Sequence, residues 1–127
     1  MSKLENKSEM FESYAKEFHD GTKYLAVGHC SYYACFQRVC HICYYVLGKK
    51  KDEIESACSQ SNQGSHSYML NLVFRRSGDR NLRNLLPQLK KLRESADYED
   101  ANFDSEKSSK SIELMNEILP ILKKIRP

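Results

Sequence analysis

The sequence predicts an all-α protein, an antiparallel up-and-down four-helix bundle with an additional short helix. Apolar residues recur every three or four positions along most of the 127 residues, which is the spacing of one face of a helix. No run of alternating apolar and polar residues persists long enough to indicate a strand. The composition, 40% hydrophobic and 29% charged, is that of a globular protein, and the length indicates a single domain over residues 1–127.

The first helix is predicted to begin at a capping box. Ser2 and Glu5 have the three-residue spacing in which each side chain bonds the backbone N–H of the other residue. Apolar residues then recur on one face as far as Phe18. The sequence Asp20-Gly21-Thr22 is typical of a turn and ends this helix.

The second helix is predicted over Lys23–Leu47 and forms the spine of the domain. Its broad apolar stripe consists of Leu25, His29, Tyr32, Tyr33, Phe36, Cys40, Cys43 and Leu47. We expect His29 to be a core histidine and the aromatic residues to be core rather than a stacking site. Cys40 and Cys43 share a face, but no second Cys/His pair follows at the spacing of a zinc site, so we expect buried thiols and no metal. Gly48, followed by three lysines, is typical of a helix C-terminus.

A polar loop is predicted over about 49–64, with one helical turn near Asp52–Ala57. Ser65 is expected to cap a third helix, which ends at Ser77-Gly78. Because this loop is the longest polar stretch of the chain, we expect the domain to have its main irregular segment there.

The last two helices are predicted from capping residues and leucine or isoleucine stripes. Asp79 caps the fourth helix, whose apolar side runs over Leu82–Ala96. Pro87 lies inside this pattern and predicts a kink, or the boundary between two shorter helices. Asp104 caps the last helix, in which Pro120 predicts a bend.

Charge is concentrated in two adjacent blocks. From Arg75 to Arg93 the chain has seven basic residues and one acidic residue, and from Glu94 to Glu106 it has six acidic residues and no basic one. The net charge of +3 is too small to indicate a nucleic-acid-binding protein by itself. The two blocks fit complementary solvated faces within a bundle or across a dimer, and the basic block also fits a surface that attracts phosphate.

The sequence also predicts where the protein resides. Its apolar runs are only a few residues long, whereas a transmembrane helix needs about 20. The N-terminus carries acidic residues early and has no apolar signal segment, so we expect neither export nor a membrane partner. A cytoplasmic location with reduced cysteines and no cofactor is the expectation.

Three segments carry a resemblance to a known family. They are Gly21-x-x-Tyr24 leading to Ser31-Tyr32-Tyr33-Ala34-x-Phe36, then Ser65-His66 after a polar loop, and then Leu92-Arg93-x-x-Ala96-Asp97-Tyr98 before an acidic turn and an amphipathic C-terminal helix. In this order, over about Phe11 to Ile125, they resemble the HEPN superfamily, particularly its small stand-alone branch. That resemblance implies an up-and-down four-helix bundle that forms a homodimer with its functional residues near the dimer cleft.

The resemblance also implies a class of activity. HEPN proteins include metal-independent ribonucleases, often toxins encoded beside a small nucleotidyltransferase, and inactive relatives that only bind. The nuclease members carry an arginine followed, after four to six residues, by a histidine. Arginine holds a phosphate through paired hydrogen bonds, and histidine, with a pKa near 6.5, moves the proton of a ribose 2′-hydroxyl.

This chain departs from that motif, because Tyr98 follows Arg93 where the histidine is expected. A phenol with a pKa of about 10 is a poor general base at neutral pH, although it can hydrogen-bond a phosphate. The resemblance therefore carries over Arg93 as the phosphate-holding residue and Tyr98 as its substituted partner. His66 is a separate candidate, which in a dimer cleft would replace the missing imidazole. The predicted nucleic-acid-binding residues are Arg93, Asp97, Arg83 and Lys90. Structural roles stay open for the same residues. Arg93 could pair with an acid or a helix terminus, Asp97 could cap the acidic turn, Tyr98 could lie at the edge of the core, and His66 could cap or support its helix start.

Three hypotheses about function follow. The first is an RNA- or nucleotide-binding protein of a toxin–antitoxin or defence-type module, with a nucleotidyltransferase as its partner and a degenerate nuclease motif. The second is an active metal-independent endoribonuclease that uses Arg93 with His66 or Tyr98. The third is a non-catalytic dimeric adaptor for a protein partner. A homodimer is expected in each case.

Overall fold

The structure is a computed structural model that describes residues 1–100 and 102–127. Within those residues all the regular secondary structure is helical. The six α-helices are α1 Lys3–Asp20, α2 Tyr24–His41, α3 Lys51–Ser61, α4 Ser65–Ser77, α5 Arg80–Tyr98 and α6 Ser105–Lys123. A π-helical segment, Ile42–Val46, continues α2. The predicted all-α class and helical bundle are confirmed.

Helix α2 lies at the centre of the bundle. It packs most extensively against α1, then against α6 and α5, and it also contacts α4. It can do so because its buried residues surround most of the helix; they include Val27, Cys30, Tyr32, Cys35, Phe36, Val39 and Cys40. Helices α5 and α6 contact each other as well, whereas α3 packs mainly on α4. The predicted role of the second helix as the spine of the domain is therefore correct.

The predicted helix starts at Ser2, Asp79 and Asp104 are confirmed. The Ser2 hydroxyl accepts a hydrogen bond from the backbone N–H of Glu5 at 3.1 Å, and the Glu5 carboxylate accepts one from the backbone N–H of Ser2 at 2.9 Å. The Asp79 and Asp104 carboxylates likewise accept hydrogen bonds from backbone amides in the first turns of α5 and α6. Each cap satisfies donors that the helix itself leaves without partners.

The predicted loop over about 49–64 is wrong, because most of it is helix α3. This helix has eleven residues, from Lys51 to Ser61, instead of one turn near Asp52–Ala57. Ile54 is the buried residue of α3, so the helix has almost no apolar periodicity for a sequence pattern to show. Its position on the surface explains the polar composition that predicted a loop.

Two smaller predictions also differ from the structure. Ser65 is the first residue of α4 and not its cap, since Gly64 occupies the N-cap position. Helix α5 continues through Pro87, so the predicted boundary between two shorter helices is wrong. Helix α6 also continues through Pro120, and the kink predicted at Pro87 and the bend predicted at Pro120 stay predictions. Each proline removes one backbone donor but leaves the surrounding apolar stripe packed on the core.

The cysteines of α2 and of the π-helical segment lie in the core as free thiols. Cys30, Cys35, Cys40 and Cys43 are all buried. Burial raises the pKa of the Cys30 and Cys40 thiols to about 11, so these side chains are neutral at physiological pH. They serve as small apolar residues in a closely packed helix, as the sequence predicts.

A close approach between α2 and α5 determines where the polar site forms. A Cβ atom added to Gly28 would lie 2.8 Å from Cζ of Phe103 and 2.9 Å from Cβ of Ala96. Only glycine therefore allows the two helices to come this close. One turn from this contact on each helix are Tyr32 of α2 and Arg93 of α5, which face each other as a result.

Candidate functional site

An open groove lies where the start of α4 meets the second half of α5. It has a volume of about 440 Å³, and we call it the Arg93 groove. The residues that line it include Tyr33, the first turn of α4, Lys90, Arg93, Glu94 and Tyr98. Four sequence-predicted site residues, Arg93, Tyr98, His66 and Lys90, are thus brought together from two helices.

Arg93 is the most deeply placed of these residues, with a side chain that is 8% exposed. Its guanidinium carbon lies 4.9 Å from the ring centroid of Tyr32 and 5.5 Å from those of Tyr33 and Tyr98. One terminal nitrogen, Nη1, donates a hydrogen bond of 3.2 Å to the hydroxyl of Tyr98. Three aromatic faces therefore hold the cation, because their negative π-faces attract it.

The charge of Arg93 is only loosely balanced. Its ion pair is with Asp97, whose Oδ2 lies 3.9 Å from Nη1, beyond hydrogen-bond distance. The Nε atom of Arg93 is buried and has no hydrogen-bond partner in the part of the chain that the structure describes. Buried charges are normally paired and fully hydrogen-bonded, since leaving them unpaired is costly. Arg93 thus has spare capacity to bind an anion.

His66 lies beside Arg93, as the second residue of α4. Its ring stacks on Phe36, with centroids 3.9 Å apart and planes 16° apart. Its Nδ1 lies 3.0 Å from the hydroxyl of Tyr32, close enough for a hydrogen bond. Burial lowers the pKa of His66 below its usual value, and the positive charges of Arg93 and Lys90 lower it further. The imidazole is therefore neutral at pH 7.

The first turn of α4 adds backbone donors to the groove. Its N-cap residue is Gly64, which has no side chain to accept hydrogen bonds from the amides that follow. The first hydrogen bond back to the cap comes from the amide of Tyr68, so the earlier amides lack a partner within the helix. The ammonium group of Lys90 reaches the same turn, 3.5 Å from the hydroxyl of Ser67.

The prediction that His29 is a core histidine is wrong. Its side chain is 45% exposed, and its Nδ1 lies 2.9 Å from Oδ2 of Asp97. The predicted apolar stripe of the second helix is too broad, and its edge faces the end of α5 instead of the core. Asp97, predicted to bind nucleic acid or to cap the acidic turn, pairs with His29, lies 3.9 Å from Arg93 and is not among the residues that line the groove.

Arg83 is not part of the Arg93 groove. Its guanidinium lies over the ring of Phe74, 5.6 Å from the centroid, and it lines a separate groove of about 320 Å³ together with Arg75 and Tyr68. Arg83 precedes Arg93 by ten residues of α5, which corresponds to a rise of about 15 Å. The basic block of the sequence is therefore divided among several surfaces.

Tyr33 is a groove residue that the sequence reasoning missed. It is predicted as core, but it lines the groove and lies beside the ring of His29, with centroids 4.7 Å apart. No local signal distinguishes it from its neighbours, because buried residues surround most of α2 and adjacent pairs such as Cys35 and Phe36 both lie in the core.

The described residues contain neither a cluster of metal-ligand side chains nor a helix that could span a membrane. Across residues 1–100 and 102–127, no three or more His, Cys, Asp or Glu side chains are grouped as metal ligands would be. None of the helices in those ranges combines the length and the apolar character needed to cross a membrane.

Comparisons with family models, with curated proteins and with solved structures give no match to this chain. The HEPN resemblance therefore stays a prediction. The functional interpretation rests on the geometry of the Arg93 groove and on the chemistry of the side chains that line it.

Proposed function

We propose that this protein binds RNA or nucleotides, with Arg93 holding a phosphate in the Arg93 groove. The observation that carries the proposal is the buried guanidinium of Arg93, which lines an open groove with its Nε unpartnered and its carboxylate 3.9 Å away. A phosphate supplies the negative charge and the acceptor oxygens that this side chain lacks, and arginine matches its geometry with paired donors. Lys90, in the same groove, adds a second cation.

A purely structural role for Arg93 explains the same geometry less well. A structural arginine in the core is expected to have a carboxylate at hydrogen-bond distance, since an uncompensated buried charge costs several kcal/mol. Here Asp97 is closer to His29, at 2.9 Å, than to Arg93, at 3.9 Å. Natural proteins tolerate such a cost mainly at functional sites.

The test is RNA binding by the wild-type protein and by an Arg93→Met variant. Methionine keeps much of the side-chain length but removes the charge and the donors. We expect labelled single-stranded RNA to bind the wild-type protein with an affinity that decreases as the salt concentration rises. The variant is expected to bind this RNA about tenfold to hundredfold more weakly, because it lacks the charge-assisted hydrogen bonds of the guanidinium. Fluorescence anisotropy at a stated salt concentration measures both.

The matched control is Arg80→Ala, because Arg80 is the exposed first residue of the same helix. Its loss changes the net charge by the same amount and is expected to change affinity by less than about threefold. Equal affinity of the wild-type protein and the Arg93→Met variant would contradict the proposal.

A second candidate function is metal-independent RNA cleavage. The observation that favours it is a neutral imidazole, His66, which lines the groove together with Arg93. In that reaction His66 accepts the proton of the ribose 2′-hydroxyl while Arg93 stabilises the charge that develops on the phosphate. Tyr98 is the alternative partner of Arg93, to whose Nη1 its hydroxyl is hydrogen-bonded.

Incubation of labelled RNA with the purified protein in EDTA tests this candidate. Cleavage that persists in EDTA and is lost in both Arg93→Met and His66→Gln supports it, and a comparable loss in Tyr98→Phe adds a role for the phenol. RNA that stays intact through a long incubation excludes it and leaves the binding function in place.

The HEPN resemblance adds expectations about topology and assembly. It implies the up-and-down four-helix arrangement, a homodimer, and a nucleotidyltransferase partner within a toxin–antitoxin or defence-type module. One feature that supports an assembly at this site is Tyr98, which is 75% exposed at the edge of the groove although its ring lies against Arg93. Large exposed aromatic side chains are enriched where a protein meets a partner.

A further inference from the structure

Access to Arg93 from the groove is narrow. The residue as a whole is 6% exposed, and the rings of Tyr32, Tyr33 and Tyr98 surround its guanidinium. A group that reaches the spare donors of Arg93 must therefore be slender. The phosphate at the end of a nucleotide chain extends from one sugar only, whereas an internal phosphodiester carries a sugar on each side.

The start of α4 faces the same space with further donors. The helix has 13 residues, and its N-cap, Gly64, provides no side-chain acceptor. A helix N-terminus carries a partial positive charge and free amides, which together favour an anion. A second, independent observation is that Arg93 lines the same groove while its buried Nε has no hydrogen-bond partner among the described residues.

The donors in the groove suit a ligand with several acceptor oxygens. Arg93, Lys90 and the free amides at the start of α4 offer hydrogen bonds, whereas Glu94 in the lining and Asp97, 3.9 Å from Arg93, offset part of the positive charge. A phosphate monoester carries about −1.5 to −2 charges at pH 7 and has three terminal oxygens. An internal phosphodiester carries a single charge and has two such oxygens.

From these three observations we infer that the Arg93 groove selects the terminal phosphate of a nucleotide or RNA, a phosphate monoester, over an internal phosphodiester. This inference rests on the proposed function and specifies its ligand. The monoester lies between the start of α4 and Lys90, with Arg93 beneath it.

The first experiment compares three RNAs of one sequence, with a 5′-phosphate, a 3′-phosphate or hydroxyl groups at both ends. We expect at least one phosphorylated RNA to bind about tenfold or more tightly than the unphosphorylated RNA, since it gains charge-assisted hydrogen bonds. AMP is expected to compete for the site and adenosine is not. AMP that binds as tightly as the RNA identifies a mononucleotide ligand, and weaker binding of AMP identifies an RNA end.

Two outcomes overturn the inference and can be told apart. Equal binding of all three RNAs, lost in Arg93→Met, shows that an internal phosphodiester is recognised and leaves the proposed function intact. No binding of any RNA or of AMP contradicts the proposed function as well.

Lys90 and Lys91 provide a matched pair of variants. Lys90 lines the Arg93 groove, whereas Lys91, the next residue, lines a different groove between α5 and α6. Lys90→Ala is expected to reduce the preference for phosphorylated RNA by about fivefold or more, and Lys91→Ala is expected to leave it unchanged. An equal effect of the two variants would show that the lysines act only through the overall charge of α5.

Variants of Gly64 test the role of the α4 amides. Nothing lies within 4 Å of a Cβ atom added at this position, and Gly64 has a φ of −69°, so a side chain can be introduced. Gly64→Asn provides a neutral cap that occupies the amides, and it is expected to raise the melting temperature while it weakens the preference for phosphorylated RNA. Gly64→Ala provides no cap and keeps that preference. An unchanged preference in Gly64→Asn would remove α4 from the site.

Discussion

Burial of the charged Arg93 side chain costs stability, and the same side chain has donors with which it can bind an anion. Three tyrosine rings surround its guanidinium, and Asp97 is close enough to attract it without hydrogen-bonding it. Attraction to an aromatic face contributes about 2 kcal/mol when the cation is desolvated, whereas burial of the charge costs several kcal/mol. The three rings offset much of this cost, but no carboxylate hydrogen-bonds the guanidinium, so its remaining donors are available to a bound anion.

The Arg93→Met variant is therefore expected to be as stable as the wild-type protein, or more stable by about 1–2 kcal/mol, although it loses RNA binding. Methionine fills the same space without a charge that needs a partner. Denaturation by urea measures the free energy of unfolding. A loss of more than about 2 kcal/mol in this variant would show that Arg93 is chiefly a structural residue.

His66 makes the stability of the protein depend on pH. Its pKa is lowered first by burial and then by Arg93 and Lys90, so the folded state binds the proton less readily than the unfolded state. The contribution of the neutral His66 to stability is therefore fully present above a pH of about 6.5, the pKa of histidine in the unfolded state. It decreases as the pH falls below that value. His41, the last residue of α2, also has a lowered pKa and acts in the same direction.

We expect the free energy of unfolding to decrease between about pH 7 and pH 5.5, and the decrease to be smaller in His66→Gln, which does not titrate. Urea denaturation at the two pH values measures it. His41→Gln provides a comparison, because His41 contacts Ser2 and Glu5 at the start of α1 and lies outside the groove. Its contribution to the decrease is therefore independent of the groove. The same decrease in His66→Gln and in the wild-type protein would contradict this account.

At the scale of the helices, capping residues predicted helix starts most reliably, whereas apolar patterns were the least reliable guide to which residues are buried. Ser2, Asp79 and Asp104 predict three helix starts correctly, because a cap acts within four residues of chain. Helix α3 could not be predicted from periodicity, since it presents little apolar surface to the core. The contact at Gly28 depends on Ala96 and Phe103, which no local pattern connects to it.

Gly28→Ala is expected to lower the free energy of unfolding by about 1–3 kcal/mol and to weaken RNA binding as well. The ring of Phe103 can turn away, but the Cβ of Ala96 is fixed to the backbone of α5, so α5 and Arg93 must move away from α2. Thermal unfolding and anisotropy measure the two effects. Gly21→Ala is the control, because its added Cβ would meet backbone atoms no closer than 3.5 Å. Equal stability of the two variants would contradict the close contact.

At the scale of the whole molecule, the sequence was sufficient for the fold class and insufficient for the full site. The apolar period predicts an all-helical bundle with the second helix at its centre, and both are correct. The resemblance to the HEPN motif predicts that Arg93 and Tyr98 act together, and the two side chains are hydrogen-bonded on one helix. Their other neighbours, Tyr32 and His66, come from α2 and α4 and meet only when the bundle packs.

The predicted homodimer is also a property of the whole molecule. Light scattering after size-exclusion chromatography is expected to give twice the mass of one chain. If Tyr98 contributes to the interface, Tyr98→Ser weakens the dimer, whereas Tyr45→Ser, which removes an exposed tyrosine near the end of the π-helical segment, does not. A single-chain mass at high protein concentration would contradict the dimer and leave the groove unaffected.

The most direct test of a phosphate at Arg93 is the NMR signal of its side-chain Nε–H during a titration with 5′-phosphorylated RNA. Arg38 provides an internal reference, since its Nε is also buried and has no partner in residues 1–100 and 102–127, while its Nη1 is hydrogen-bonded to Glu5, away from the groove. We predict that the Arg93 signal, identified by its absence in Arg93→Met, shifts and saturates while the Arg38 signal stays unchanged. RNA that binds without any shift of the Arg93 signal would contradict the assignment of Arg93 to the phosphate.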